Sequence, residues 1–347
     1  MSSTKRMSLK KAMAITLVIH VSLLLTLAVD GQSVPVKEQI ANEVKRLEQR
    51  LPALALPDNE AKSYQSALKR VAVMLRSDRV FLSLYYLQPV HSAVGTYDYH
   101  RSKAEVIKQG VDGFEAEWKN LGGQLAAREK AYVPESGETP AAAMALAEAS
   151  LTQVHPYYQS GHLYGLNRSV DEGVYYFGRS SAFLDFALFC RQLQFKKPRT
   201  PLKLKSLEHE LQAMEDETLA AYKQSEDKDL RQFITTNVSL KLAADLNHEQ
   251  RYFGALLKYL DACMALKLLK ATAPSPAQVE LLKGQLAAFG KRLSSGDIDH
   301  SIGLMYWEMA QRALQPSADD EVGEPDLKRA VVILDEVLPR YFKTVSS

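Results

Sequence analysis

The chain has 347 residues, 46% of them apolar, which is enough to bury a sizeable core. Its formal charge of +2 gives no electrostatic ground for a nucleic-acid partner. Two cysteines, Cys190 and Cys263, are too few for a disulfide scaffold or a cysteine metal site.

Residues 1–31 read as a secretory signal peptide. Lys5, Arg6, Lys10 and Lys11 precede an apolar run from Ala12 to Val29, and Val29 and Gly31 place small side chains correctly for a cut before Gln32. The same run is just long enough to span a bilayer, so an uncleaved anchor over residues 12–29 is the alternative, and the one route to a membrane. Removing this segment leaves the rest of the chain at −1, since residues 1–31 carry four bases against Asp30.

Beyond Pro35, Ile40, Val44, Leu47 and Leu51 form a narrow helical stripe closed by Pro52 and Pro57. A long helix is expected from about Asn59 to Gln88, stopped by Pro89. The stretch from Val90 to His100 has no clear period, and Ser102 with Glu105 reads as the capping box of a helix carrying Val106, Val111, Phe114 and Trp118. An alanine-rich helix follows over about 141–164, then another over about 170–193. Phe195 to Pro201 forms a basic, Pro-interrupted linker. Further helices are expected at about 204–224, 227–247, 249–270, 276–294, 298–314 and 325–344, and no stretch alternates long enough to argue a sheet.

One pattern occurs twice, 76 residues apart. Tyr176-Phe177-Gly178 with Phe183-Leu184-Asp185 recurs as Tyr252-Phe253-Gly254 with Tyr259-Leu260-Asp261. On a helix the aromatic positions share a packing face. Gly178 and Gly254 mark places where another chain segment comes close, because glycine inside a helix costs about 1 kcal/mol relative to alanine. Asp185 and Asp261 read as solvent-facing or bonded to a neighbouring helix. The same register puts both cysteines on core faces of separate units, which predicts two buried free thiols.

Leu242, Ala243 and Leu246, followed by Ala255, Tyr259 and Ala262, carry small, apolar and aromatic residues at the spacing of a tetratricopeptide repeat, which this window resembles. Ser239 and Lys267 depart from that pattern. A weaker likeness covers Trp307, Ala310, Leu314, Ala330, Leu334 and Val337. The resemblance implies a superhelix whose concave face binds a peptide or a partner protein.

Tyrosine and histidine concentrate in the N-terminal half. His155 and His162 are seven residues apart on one helix face with Tyr158 between them, and Tyr164 and Arg168 follow. Two imidazoles on one face offer metal or proton chemistry, but the i, i+7 spacing spans about 10 Å, too far for one ion. A His-Glu-x-x-His motif, a phosphate loop, a nucleophile elbow and a Cys/His pair are all missing from the sequence.

The sequence therefore predicts an all-α protein, an array of antiparallel helical hairpins (an α-solenoid or tetratricopeptide-like superhelix) after an N-terminal signal peptide. Its parts are the signal over 1–31, a Tyr- and His-rich helical region over 32–194, a linker over 195–203 and a hairpin region over 204–347. The expected function is that of an exported, non-catalytic scaffold of the cell envelope, periplasmic or extracellular, that binds a protein or peptide and needs no cofactor. Its candidate binding surface is His155, Tyr158, His162, Tyr164 and Arg168. The alternative is an envelope enzyme or metal binder using the same His/Tyr cluster.

Overall fold

Helix propensity and helical apolar spacing run through the whole chain, and the computed structural model is helical accordingly. It describes residues 35–54, 56–130, 132, 138–224, 230–316, 318–319 and 323–345; the segment read as a signal peptide lies outside them. The helices are α1 (Val36–Arg50), α2 (Asp58–Arg76), α3 (Val80–Ser102), the short α4 (Ala104–Lys108), α5 (Gly110–Lys130), α6 (Ala141–Asn167) and α7 (Val170–Gln192). After these come α8 (Glu208–Gln224), α9 (Leu230–His248), α10 (Tyr252–Leu268), α11 (Pro276–Ser294) and α12 (Ser301–Leu314). The last are α13 (Glu324–Val332), a π-turn over Ile333–Val337, and α14 (Leu338–Val345). Among the described residues the one extended pairing is an isolated parallel bridge, Thr200 to Ile298. None of the described helices is long and apolar enough to cross a membrane.

Two expected boundaries move. The long helix breaks at Ser77–Arg79 rather than at Pro89, which sits inside α3. Asp78 takes φ 58, and the Arg79 amide reaches back to the Met74 carbonyl at 2.9 Å, so a tight C-terminal turn ends α2. The aperiodic stretch after Val90 is helix because α3 packs on several sides, with Val90, His91, Ser92, Val94 and Thr96 all buried. Ser102 ends α3, its hydroxyl donating to the Tyr99 carbonyl, and caps nothing.

The helices repeat as a set. The helices α2 and α9 end 172 positions apart (76 and 248), and α3 and α10 start at the same interval (80 and 252). The turns between them match in detail. Gln250 has φ 60 where Asp78 has 58, and Arg251 has φ −89 and ψ 69 where Arg79 has −90 and 71. The Arg251 amide reaches the Leu246 carbonyl at 2.9 Å, as Arg79 reaches Met74. Buried Leu68, Val71 and Met74 correspond to buried Leu240, Ala243 and Leu246, while Leu68/Leu240, Lys69/Lys241, Ala72/Ala244, Arg79/Arg251, Phe81/Phe253 and Leu84/Leu256 pair identical residues. The neighbours correspond as well. The α1 helix lies on α2 and α3 as α8 lies on α9 and α10, and α5 lies on α6 and α7 as α11 lies on α12 and the π-turn. Helices α1–α7 and α8–α14 thus follow a corresponding order, called here the first and the second copy, with residues 195–203 between them. That segment bonds to both copies, through Phe195 N–H to the Glu138 carbonyl and Thr200 N–H to the Asp297 carbonyl.

The copies are tied by exchanged caps. Arg79 and Arg251 precede α3 and α10 without capping them, so the first amides of both helices need outside acceptors. Glu308 of α12 accepts from the Leu82 amide of α3 at 2.7 Å, and Glu148 of α6 accepts from the Gly254 amide of α10 at 2.6 Å. Each copy therefore caps the third helix of the other with a buried glutamate. Pro140 cannot cap α6, and Asp299 and Ser301 at the start of α12 accept from Ala141 N–H and Ala142 N–H instead. Every residue of α6 from Ala141 to Leu151 is buried, the small side chains admitting α7, α10 and α12 around it. Contacts of α6 with α10 and of α3 with α12 join elements far apart in sequence. Residues 35–347 form one unit.

The Tyr-Phe-Gly pattern is not this repeat. Its first copy lies in the middle of α7 and its second at the start of α10. Its glycines do mark close approaches: a Cβ at Gly178 would meet the Thr96 carbonyl oxygen at 2.7 Å, and one at Gly254 the Glu148 Cβ at 2.8 Å. Asp185 pairs with Arg128 and Asp261 accepts from the Tyr306 hydroxyl at 2.8 Å, so both bond to neighbouring helices. Cys190 and Cys263 are buried and free.

Candidate functional site

The five residues singled out by sequence divide between two faces of α6. His155, Tyr158 and His162 face α5, where His155 Nε2 lies 3.1 Å from Glu129, the Tyr158 hydroxyl donates to the Trp118 carbonyl at 2.7 Å, and His162 Nε2 lies 2.8 Å from Glu115. The His162 ring stacks on Trp118 with centroids 3.8 Å apart. Behind it Phe114 is wholly buried against Gly165, where a Cβ would come within 2.0 Å of the phenyl ring; α5 docks because that position is glycine. Tyr164 turns instead toward Tyr176 of α7, 4.8 Å between centroids, under the Arg168 guanidinium, which also bonds Glu172 at 3.0 Å. The two histidines thus engage different glutamates, and the polar ends of the cluster bond to residues of this chain, His155 and Arg168 at the surface. Among the described residues no three His, Cys, Asp or Glu side chains gather as a metal site requires.

A charged cleft of about 730 Å³, bounded by α1, α3, α5 and α7, holds a second constellation. Glu43 receives Arg46 Nε at 2.7 Å and lies 3.0 Å from His91 Nε2. Burial opposes the charge on Glu43, but Arg46 and His91 outweigh it and hold the carboxyl down at about 2. His91 is buried between Phe186 and Phe189, and its Nδ1 has no hydrogen-bond partner among the described residues. Arg50 pairs with Asp98 and Arg128 with Asp185 along the same cleft. Sequence reading missed this group because its members come from four helices; buried Glu43 on the apolar stripe of α1 was the one available signal.

The second copy treats the same place differently. Aligned on their buried residues (Val36/Leu207, Ile40/Leu211 and Leu47/Thr218), α1 and α8 lie 171 positions apart, so Met214 and Cys263 stand where Glu43 and His91 stand in the first copy, and both are wholly buried. The space shrinks to about 180 Å³ beside Glu217, whose carboxylate receives Arg340 at 2.9 Å and Lys267. One copy therefore keeps an open polar cleft, and the other fills it with packing and ion pairs.

The chain matches no family model, and no curated protein and no solved structure is significantly similar to it.

Proposed function

We propose that this protein is an exported, non-catalytic helical scaffold of the cell envelope that binds a peptide or protein partner. The observation that carries the reading is that its prominent polar side chains bond within the chain. Glu148, Glu308 and Asp299 serve helix amides, and the histidines and tyrosines of the 155–168 cluster serve glutamates, a carbonyl and neighbouring rings. What such a fold presents outward is helix faces and the grooves between them, the usual material of protein recognition. The basic start and apolar run of residues 1–31 support export.

An array of antiparallel hairpins with a tetratricopeptide-like character belongs to the same proposal. Its support is that Ala243, Leu246, Ala255, Tyr259 and Ala262 are all buried in the hairpin of α9 and α10. Mild cross-linking in the native envelope, followed by isolation and mass spectrometry, tests the reading. The expected result is a mature chain starting at Gln32, joined to one identifiable partner in fixed proportion. A chain that is always recovered alone refutes it.

A further inference from the structure

The cleft bounded by α1, α3, α5 and α7 keeps hydrogen-bonding capacity that the fold does not use. Ser181 lines it at 9% exposure, and its hydroxyl has no partner among the described residues, although buried hydroxyls are ordinarily bonded. The Gln192 side chain at the rim has none either. Arg46 gives Glu43 its Nε and one terminal nitrogen, while Arg50 and Arg128 each give one terminal nitrogen to Asp98 and Asp185. The other terminal nitrogen of each guanidinium, and one oxygen of each aspartate, bond to nothing among the described residues. The second copy shows that packing does not require this arrangement. In register, Met214 and Cys263 replace Glu43 and His91, Glu217 and Ala221 replace Arg46 and Arg50, and Lys267 and Lys270 replace Gly95 and Asp98. Lys267 then reaches Glu217 and closes the space. A buried ion pair is often no more stabilising than apolar side chains of the same volume, so stability does not account for the open polar cleft of the first copy.

What the cleft leaves open is hydrogen bonding and not charge. Each guanidinium already faces a carboxylate, so an ionic ligand brings in a charge with no counterpart. Free donors stand beside free acceptors, an arrangement that a hydroxyl group answers because it donates and accepts at once. Half-buried Leu188 and Phe189 add an apolar wall, suited to the C–H face of a ring. We infer that the cleft binds a neutral saccharide. Its volume of about 730 Å³ holds about two or three sugar rings. Arg50, Asp98 and Ser181 bond the hydroxyls, and Phe189 takes the apolar face. The saccharide site stands whether or not the chain also holds a protein partner.

Isothermal titration calorimetry of the purified protein tests this with neutral maltotriose, cellotriose and di-N-acetylchitobiose, beside anionic trigalacturonate and the cationic disaccharide of glucosamine. At least one neutral probe should bind with single-site stoichiometry, and about tenfold or more tighter than either charged probe. The variant Arg50→Ala/Asp98→Lys, which carries the residues of the second copy, should weaken that binding by about tenfold or more. Ser181→Ala should weaken it by about three- to tenfold. The Arg50 and Asp98 side chains are 40% and 38% exposed and their pair adds little stability, so thermal unfolding of the double variant should match the parent. If Ser181→Ala fails to fold, the double variant alone decides. Affinity that rises further from trimer to hexamer marks a polysaccharide as the source and a plateau marks a free sugar; either result upholds the site. No binding of any neutral probe, equal or tighter binding of a charged one, or unchanged binding by the folded double variant overturns the inference.

Discussion

Changing Glu308 to Gln tests the reciprocal capping directly. Burial drives the Glu308 carboxyl up to about 8, overriding the amides of Leu82, Phe81 and Val80 and the nearby Arg79, all of which pull it down. A group whose folded pKa is raised contributes stability that is complete below its unfolded value, near 4.5, and is lost as pH rises through about 8. At 1.36 kcal/mol per unit this amounts to roughly 5 kcal/mol across the window. Glu148, raised to about 7 by the same burial, adds roughly 3 kcal/mol on the same scale. The protein should therefore be more stable near pH 5 than near pH 9, and urea denaturation at several pH values reads the slope. Glu308→Gln mimics the protonated acid and should flatten the larger part of that slope, while Glu148→Gln should flatten the smaller. Glu308→Ala leaves the α3 amides without an acceptor and should cost about 1–3 kcal/mol even at pH 5. If Glu308→Gln keeps the full slope of the parent, the carboxyl does not titrate as a buried cap and the reasoning fails.

The two copies should not fold apart: residues 32–203 alone lack Glu308 and Asp299, so the fragment should show molten helicity with no cooperative transition, whereas co-expression with 204–347 should restore one. Glu43→Gln removes a carboxylate held down near 2 and unpairs Arg46 and His91; it should cost about 1–3 kcal/mol at neutral pH and reduce the acid sensitivity seen as pH falls from about 4.5 toward 2, measured by acid titration of circular dichroism. Burial raises both thiols, Cys263 to about 12, so a thiol reagent should label neither cysteine in the native protein and both in denaturant. Gly165→Ala drives a methyl into the Phe114 ring and should destabilise by about 1–3 kcal/mol, read as a lowered Tm, and Phe114→Ala in the same chain should relieve part of the clash.

The helices themselves were legible. Pro276 at the first helical position behind Ser275 fixes the start of α11, where the Ser275 and Gln278 side chains form a capping box. Alanine-rich α6 was legible as a helix, but not as the element packed between the two copies, because a helix buried all round has no amphipathic period to read. The break at Asp78 was hidden because a non-glycine residue in the left-handed region leaves no composition signal, and Pro89 nearby offered a false one. The correspondence between α1–α7 and α8–α14 was hidden for a related reason. The copies keep burial positions and turn geometry while exchanging side chains, as in His91 for Cys263 or Glu43 for Met214. The conspicuous Tyr-Phe-Gly pattern owes its likeness to two unrelated close approaches.

The positions that agree between the copies and the positions that differ divide the molecule by role. Agreement falls on the α2–α3 and α9–α10 turns, on Leu68/Leu240 and Ala72/Ala244, and on the glutamates 148 and 308, whose exchange makes each copy necessary to the other. Changing one such residue without its counterpart strands buried amides across the interface, so both copies are held to one plan. Difference falls on the cleft and on exposed positions of α8 and α9, where no amide depends on the side chain. The first copy keeps a polar cleft around Glu43 and His91, and the second fills it; on α8 and α9 the second also bares Leu219, Leu230, Ile234 and Val238. A fold locked by reciprocal caps can vary only at sites the locks do not use, and the cleft that Glu43 and His91 hold open and that Met214 and Cys263 close is such a site.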